Sequence, residues 1–325
     1  MNRFSFLILS SAFIILSCNK KAPKSFINED IIITEKDLIP EGVAFDTITG
    51  VLYIGSTHKR KIIAITPQGK IKDFYSYKKD TDIWSPTGME VDEARGILWV
   101  NNSHANEVMP LLDPHKKEDW MTSVIAFDTK QRKLLKSYSL NKPKVFFNDL
   151  TVLPNGDVYI TESITNKVYR IKHEKDNLEV FLKPEGFSFL NGITYDQSTN
   201  TLFVSSTQGI INIDPNTKEY KLIDTPNSIN AKGIDGLTYY DNMLIGHQSI
   251  KVSKFYLNKN RTAITEVELL DSGEEFDSST TGEIGLGSYH FIVNSQIRSG
   301  VNYKERSIQP IDSLDNIIIR RLKIN

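Results

Sequence analysis

One motif recurs six times along the chain, and it limits the fold more than any bulk property does. The copies are EGVAFDTITGVLYIG from Glu41, TGMEVDEARGILWVN from Thr87 and NDLTVLPNGDVYIT from Asn148, followed by NGITYDQSTNTLFVS from Asn191, DGLTYYDNMLIGH from Asp235 and TGEIGLGSYHFIVN from Thr281. Each opens on a polar residue and then glycine, with Asp149 the single exception. A short strand, a turn rich in Asp, Asn or Gly, and an apolar strand follow. Runs of β-branched and aromatic residues separated by turn formers are hairpin chemistry.

The second positions, Gly42, Gly88, Asp149, Gly192, Gly236 and Gly282, are separated by 46, 61, 43, 44 and 46 residues. Further strand-like runs follow each hairpin, such as KIIAIT and IKDFYSY in the first copy and KVYRIK and LEVFLK in the third. Four strands per unit of this length predict an all-β, six-bladed β-propeller. No sustained helical periodicity competes with it. The last copy has a third strand at NIIIRRLKI from Asn316 but no fourth, and DIIITE from Asp30 is a spare strand ahead of the first copy. Placing that N-terminal strand on the outside of the last blade closes the ring and removes both open edges. An open array of β-sandwiches is the alternative. The propeller is expected to occupy residues 29–325 as one domain.

The innermost strand of every blade lines the central channel, so the six first positions sit at one height on one face. They read Glu41, Thr87, Asn148, Asn191, Asp235 and Thr281. Two carboxylates and two amides are oxygen donors, and the ring has no His or Cys. Such a set suits a hard divalent cation, Ca2+ above all, with Glu41 and Asp235 balancing its charge and open positions left for water and substrate. Zinc would call for His or Cys. Singly, an Asn or Asp before a strand is an ordinary turn residue; it is the shared register that argues for a metal. The following glycines fit a crowded axis, where a side chain would obstruct the neighbouring backbone.

The segments PEGVAFD, FNDLTVLPNGDVYIT, LNGITYD and GIDGLTYYDN resemble the senescence marker protein/gluconolactonase family, which is related to the paraoxonases and the squid-type diisopropylfluorophosphatase. The resemblance runs in blade order over nearly all of residues 29–325. It implies a six-bladed propeller with a central calcium held by Glu41, Asn148, Asn191 and Asp235, and hydrolysis of lactones, aryl esters or organophosphates. Two features depart from those relatives. Thr87 stands where paraoxonase-type members place a His, and the last blade offers Thr280 and Thr281 where the phosphatase-type member has one.

The expected activity is therefore calcium-dependent hydrolysis of a lactone or related ester, a small-molecule substrate. Asp235 or Glu41 would activate water or attack directly. Connections after the second strand of each blade open on the same face, which makes His104, Glu162 and His247 further catalytic candidates. The long second interval has its excess between Ser103 and Ser123, and is read as a lid, a pocket wall or a plain surface excursion. Two rival readings stand beside the enzyme: a ligand-binding or scaffold propeller with a structural calcium, and a metal-free relative similar to strictosidine synthase.

The N-terminus carries Arg3, an apolar run over Phe4–Leu16, and then Ser17-Cys18-Asn19. This is a secretory signal ending on the chain's single cysteine, and it resembles the bacterial lipobox. Residues 1–17 would be removed, Cys18 lipidated, and residues 18–28 would form a tether. The apolar run is too short for a spanning helix. The expected location is the bacterial cell envelope, with Asn19 favouring the outer membrane and the lipid as the contact with it. A net charge of -1 with scattered Lys and Arg gives no case for nucleic acid, and the protein is expected to be a monomer.

Overall fold

The computed structural model describes residues 29–76, 83–104, 121–140 and 144–324. Among these, six four-stranded antiparallel sheets follow one another around a central channel as blades one to six. Their inner strands are Pro40–Asp46, Ser85–Asp92, Phe147–Val152, Ile193–Asp196, Leu237–Tyr240 and Gly282–Gly285. All six begin at or within two residues of the repeated polar-glycine pair.

The hairpin turns are built by the aspartates that end the inner strands. Asp46 Oδ1 accepts the backbone N–H of Ile48 at 2.9 Å and of Thr49 at 3.1 Å, and Oδ2 takes the Thr49 hydroxyl at 2.7 Å. Asp196 repeats the device with Ser198 and Thr199. Each carboxylate supplies a local acceptor to amides that the sheet leaves unpaired, which is why Asp recurs there.

Both faces of each blade are covered by neighbours, so the middle strands are apolar almost throughout. Blade one shows this in Val51–Ser56 and Lys61–Ile65, which are buried except at their first residues. The outer strands carry the exposed residues, as in Lys133–Leu140. Six apolar clusters fill the seams, one per pair of adjacent blades. The seam between blades six and one unites Val43, Leu52 and Ile63 with Ile292, Ile317 and Ile319. Burying an Ile or Leu side chain stabilises by about 1.5–3 kcal/mol, so each seam contributes heavily to closure.

Blade six is assembled from both ends of the chain. Its strands run, from outside in, Glu29–Ile33, Ile317–Lys323, Ser288–Ile292 and Gly282–Gly285. The N-terminal strand pairs Asp30 with Arg320 and Ile33 with Ile317. That register is clamped by charge: Arg320 donates from Nε and Nη2 to the two Asp30 oxygens, both at 2.9 Å. Its Nη1 reaches Asp271 at 2.8 Å and Glu275 at 2.9 Å, tying the closure to blade five. The spare strand thus sits where the sequence predicts it.

Candidate metal centre

Close approach of the inner strands explains the repeated glycine. A Cβ on Gly42 would lie 1.8 Å from the Thr87 carbonyl oxygen, and one on Gly88 would lie 2.4 Å from Asp149 Oδ1. Both distances are impossible for real atoms; with Gly192 against Asp235 and Gly236 against Thr280, four of the inner strands lean on the next blade at their second residue, while Gly282 is packed against Phe291 of its own blade. This holds the preceding polar residues at one level.

Glu41, Asn148, Asn191 and Asp235 line one cavity at that level. Asn191 Nδ2 donates to Asp235 Oδ1 at 2.7 Å, and Asn148 Nδ2 donates to Ser163 Oγ at 3.0 Å. With their nitrogens committed, both amides keep their oxygens for another partner. Glu41 is held from behind, its carbonyl accepting the Thr280 hydroxyl at 2.9 Å, while its buried Oε2 has no hydrogen-bond partner. A buried carboxylate oxygen left unbonded is costly unless something cationic meets it. Burial, then the charges of Asp235 and Asp149, hold the Glu41 carboxyl well above the usual range. Asp235 is pushed up to about 6 by burial, with the Asn191 amide and the Arg298 charge pulling the other way.

The donor chemistry therefore fits a divalent cation: oxygen ligands only, two of them carboxylates, one visibly orphaned. Among the described residues no three His, Cys, Asp or Glu side chains gather to hold a metal by themselves. The ring has only two of those four types and depends on its asparagines. Thr87 does not join it, because its buried hydroxyl donates to the Phe147 carbonyl at 3.1 Å and stitches blade two to blade three.

Below the ring the channel narrows to a throat lined by Asp149, Thr280 and Thr281, then widens at the opposite face. That second cavity, of about 270 Å³, is lined by Glu90, Asp149 and Glu283. Burial pushes Asp149 and Glu283 up to about 7, and raises Glu90 well above the usual range. Asp149 accepts from the N–H of Leu150 and Ile193, spanning blades three and four. It is the one residue that breaks the polar-glycine rule, and that irregularity is its sequence signal.

The other sequence candidates are placed elsewhere. Glu162 is fully buried, and its oxygens accept the N–H of Phe146, Ile164 and Thr165 as well as the Thr165 hydroxyl. It braces a turn and has no oxygen free for substrate. His247 is also buried, with Nδ1 at 2.8 Å from Ser279 Oγ and Nε2 at 2.6 Å from the Tyr289 hydroxyl. Burial lowers it to about 3, so the ring is neutral and both nitrogens are engaged. These two are corrected from channel groups to structural ones. His104 ends the second strand of blade two, paired with Met121, and its side chain lies outside the described residues. Most of the Ser103–Ser123 excess and all of Cys18 lie outside them as well.

A part of the site that the sequence reading missed comes from blade six. Between Ile292 and Ile317 the chain forms an extra two-stranded hairpin, Val301–Asn302 with Ser307–Ile308. Its leading arm brings Ile297 and Arg298 over the ring cavity, beside Phe146, Phe189 and Ile234. The cavity measures about 310 Å³.

No protein-family model matches the chain, and no curated protein matches it. Solved structures do match. A gluconolactonase of Xanthomonas campestris aligns over 91% of this chain and 89% of its own, at 11% identity and a TM-score of 0.60. The virginiamycin B lyase of Staphylococcus aureus aligns over 92% and 100%, at 18% identity and 0.61. The major allergen Mala s 1 of Malassezia sympodialis aligns over 90% and 96%, at 12% identity and 0.69. Lactonases and lyases thus share this architecture. The chain is a six-bladed propeller structurally similar to the gluconolactonases, at low sequence identity.

Proposed function

We propose that the protein is a calcium-dependent hydrolase of lactones or carboxylic esters, exported and held in the cell envelope by a lipid on Cys18. The observation that carries the metal is the convergence of Glu41, Asn148, Asn191 and Asp235, with Glu41 Oε2 buried and unpartnered. These four residues would hold the cation. When bound, it supplies Lewis-acid polarisation of a carbonyl oxygen.

The remaining work falls to side chains. The Asn191 amide fixes the rotamer of Asp235 and leaves its second oxygen available to accept a proton from attacking water. Ser163 orients Asn148 in the same way. Phe146, Ile234 and Ile297 form an apolar wall beside the ring, which displaces water and strengthens every charge interaction within.

Asn148→Ala tests the reading. It should lower kcat/KM on a responsive lactone by roughly 100-fold, while loss of its bond to Ser163 costs only about 1 kcal/mol of stability. Failure of the calcium-loaded protein to hydrolyse any lactone, aryl ester or phosphotriester would overturn it. The second reading, a binding propeller with structural calcium, is favoured by one observation: His247 has both ring nitrogens committed. On that reading Asn148→Ala would cost stability and have no activity to lose.

A further inference from the structure

The cavity above the ring has a chemistry of its own. Phe146, Phe189, Ile234 and Ile297 give it apolar sides, and its exposed apolar lining outweighs the polar. Ser206, Thr207, Ser249 and Ser278 also line it, with the Ser206 and Ser278 hydroxyls donating to the Gly209 carbonyl and to Asp277, so the apolar sides meet a substrate's body and not its polar end. Phe189 is 56% exposed and sits at φ 51°. Left-handed backbone is unfavourable for a bulky aromatic residue and persists where surroundings enforce it. Here the Asn166 carboxamide oxygen accepts the Phe189 N–H at 2.7 Å.

Among the described residues that line the same cavity, Arg298 is the one cation. Arg298 is exposed, and its charge is felt at Asp235 across the cavity without a close ion pair among the described residues. It is carried on a braced arm. Gly300 N–H donates to the Gln296 carbonyl at 2.8 Å, and the Tyr303 hydroxyl donates to the Ile297 carbonyl at 2.7 Å. The Gln296 side chain exchanges two hydrogen bonds with the Asp315 backbone. Once a divalent cation offsets Glu41 and Asp235, the positive charge of Arg298 has no counter-ion within the ring.

Resting on the hydrolase reading, we infer that the substrate has an apolar body ending in a carboxylate, which Arg298 pairs with while the reactive carbonyl faces the ring. An arginine is suited to this because its planar fork meets a carboxylate in two parallel hydrogen bonds.

The test uses a matched pair of ligands that cannot be hydrolysed: a cyclopentanone bearing a four-carbon chain that ends in a carboxylate, and its methyl ester. Calorimetric titration of the calcium-loaded full-length protein should show the acid binding about tenfold tighter than the ester. Arg298→Gln should shrink that ratio to near one, mostly by weakening the acid, and Arg298→Lys should restore part of it. Equal binding of acid and ester, no binding of either, or a ratio that survives Arg298→Gln would each overturn the inference. Equal weakening of both ligands would do so too, by making Arg298 a counter-ion of the ring alone. Arg298-dependent binding without turnover of the matching lactones would sustain the Arg298–carboxylate contact and sink the hydrolase reading.

Discussion

Single residues show both how far the sequence can be read and where it stops. The ring residues were legible because each carries its type at a repeated position, so register alone set them at one height. Polar groups at the ends of the second strands were misread for a physical reason. Ser56 and Thr57 donate to the Leu38 and Ile39 carbonyls, Thr161 and Ser163 to those of Asn191 and Leu190, and Ser205 to that of Ile234. Irregular backbone leading into an inner strand leaves buried carbonyls, and a hydroxyl satisfies them, from the same blade at Leu38 and Ile39 and from the preceding blade at Leu190, Asn191 and Ile234. A sequence reveals that such a side chain is polar, not which way its lone pairs are spent. His247 is likewise spent internally, on the Ser279 and Tyr289 hydroxyls, and has a testable signature. Its folded value of about 3 lies below the ordinary 6.5, so between those values the unfolded chain binds the extra proton. Stability from this group is complete above about pH 6.5 and falls as pH drops toward 3, by up to roughly 1.4 kcal/mol per pH unit. His247→Gln should flatten the acid limb by that slope, measured as urea midpoints at pH 4.5 and 7. Buried carboxylates such as Glu283 tilt the other way and are common to both proteins, so they cancel in the difference.

At the scale of elements, the closing strand was predictable because a propeller with one strand missing at its end and one spare at its start has a single economical solution. Its register was not predictable, since DIIITE could pair at several offsets with NIIIRRLKI. The bidentate Asp30–Arg320 contact selects one of them. Arg320 is buried among three carboxylates, and hydrogen bonds to charged groups raise its pKa further. Asp30→Ala should therefore destabilise by about 2 kcal/mol in chemical denaturation. Hydrogen exchange should speed up along Ile317–Lys323 before it does in any other blade. Unchanged exchange there would mean that the apolar seam holds the strand without the clamp.

For the whole molecule, the excess in blade two is legible in the intervals between repeats and the hairpin in blade six is not. Spacing is measured from one repeat to the next, and the last repeat has no successor, so an insertion within it changes no interval. The channel as a unit carries Glu41, Asp235, Asp149, Glu90 and Glu283, all with carboxyl groups raised by burial. A fold that gathers so much acid on its axis should gain from any cation it binds. At 100 times its Kd, calcium would add about 2.7 kcal/mol, so removing it with a chelator should lower Tm by about 5 °C. An unchanged Tm would argue against the proposed centre.

If Cys18 carries the proposed lipid, the closing strand also decides which way the molecule would face. Its ladder sets Ile33 against Ile317, beside the ring end of blade six, and Glu29 against Arg321 toward the opposite face. A lipid on Cys18 would therefore join the propeller through Glu29, on the side away from the Glu41–Asp235 level. Anchored this way, the propeller would turn its back to the bilayer and hold the Arg298 mouth out toward the aqueous phase. Such a posture suits the capture of dissolved anions, which negatively charged headgroups repel, and not the extraction of lipids from the membrane beneath.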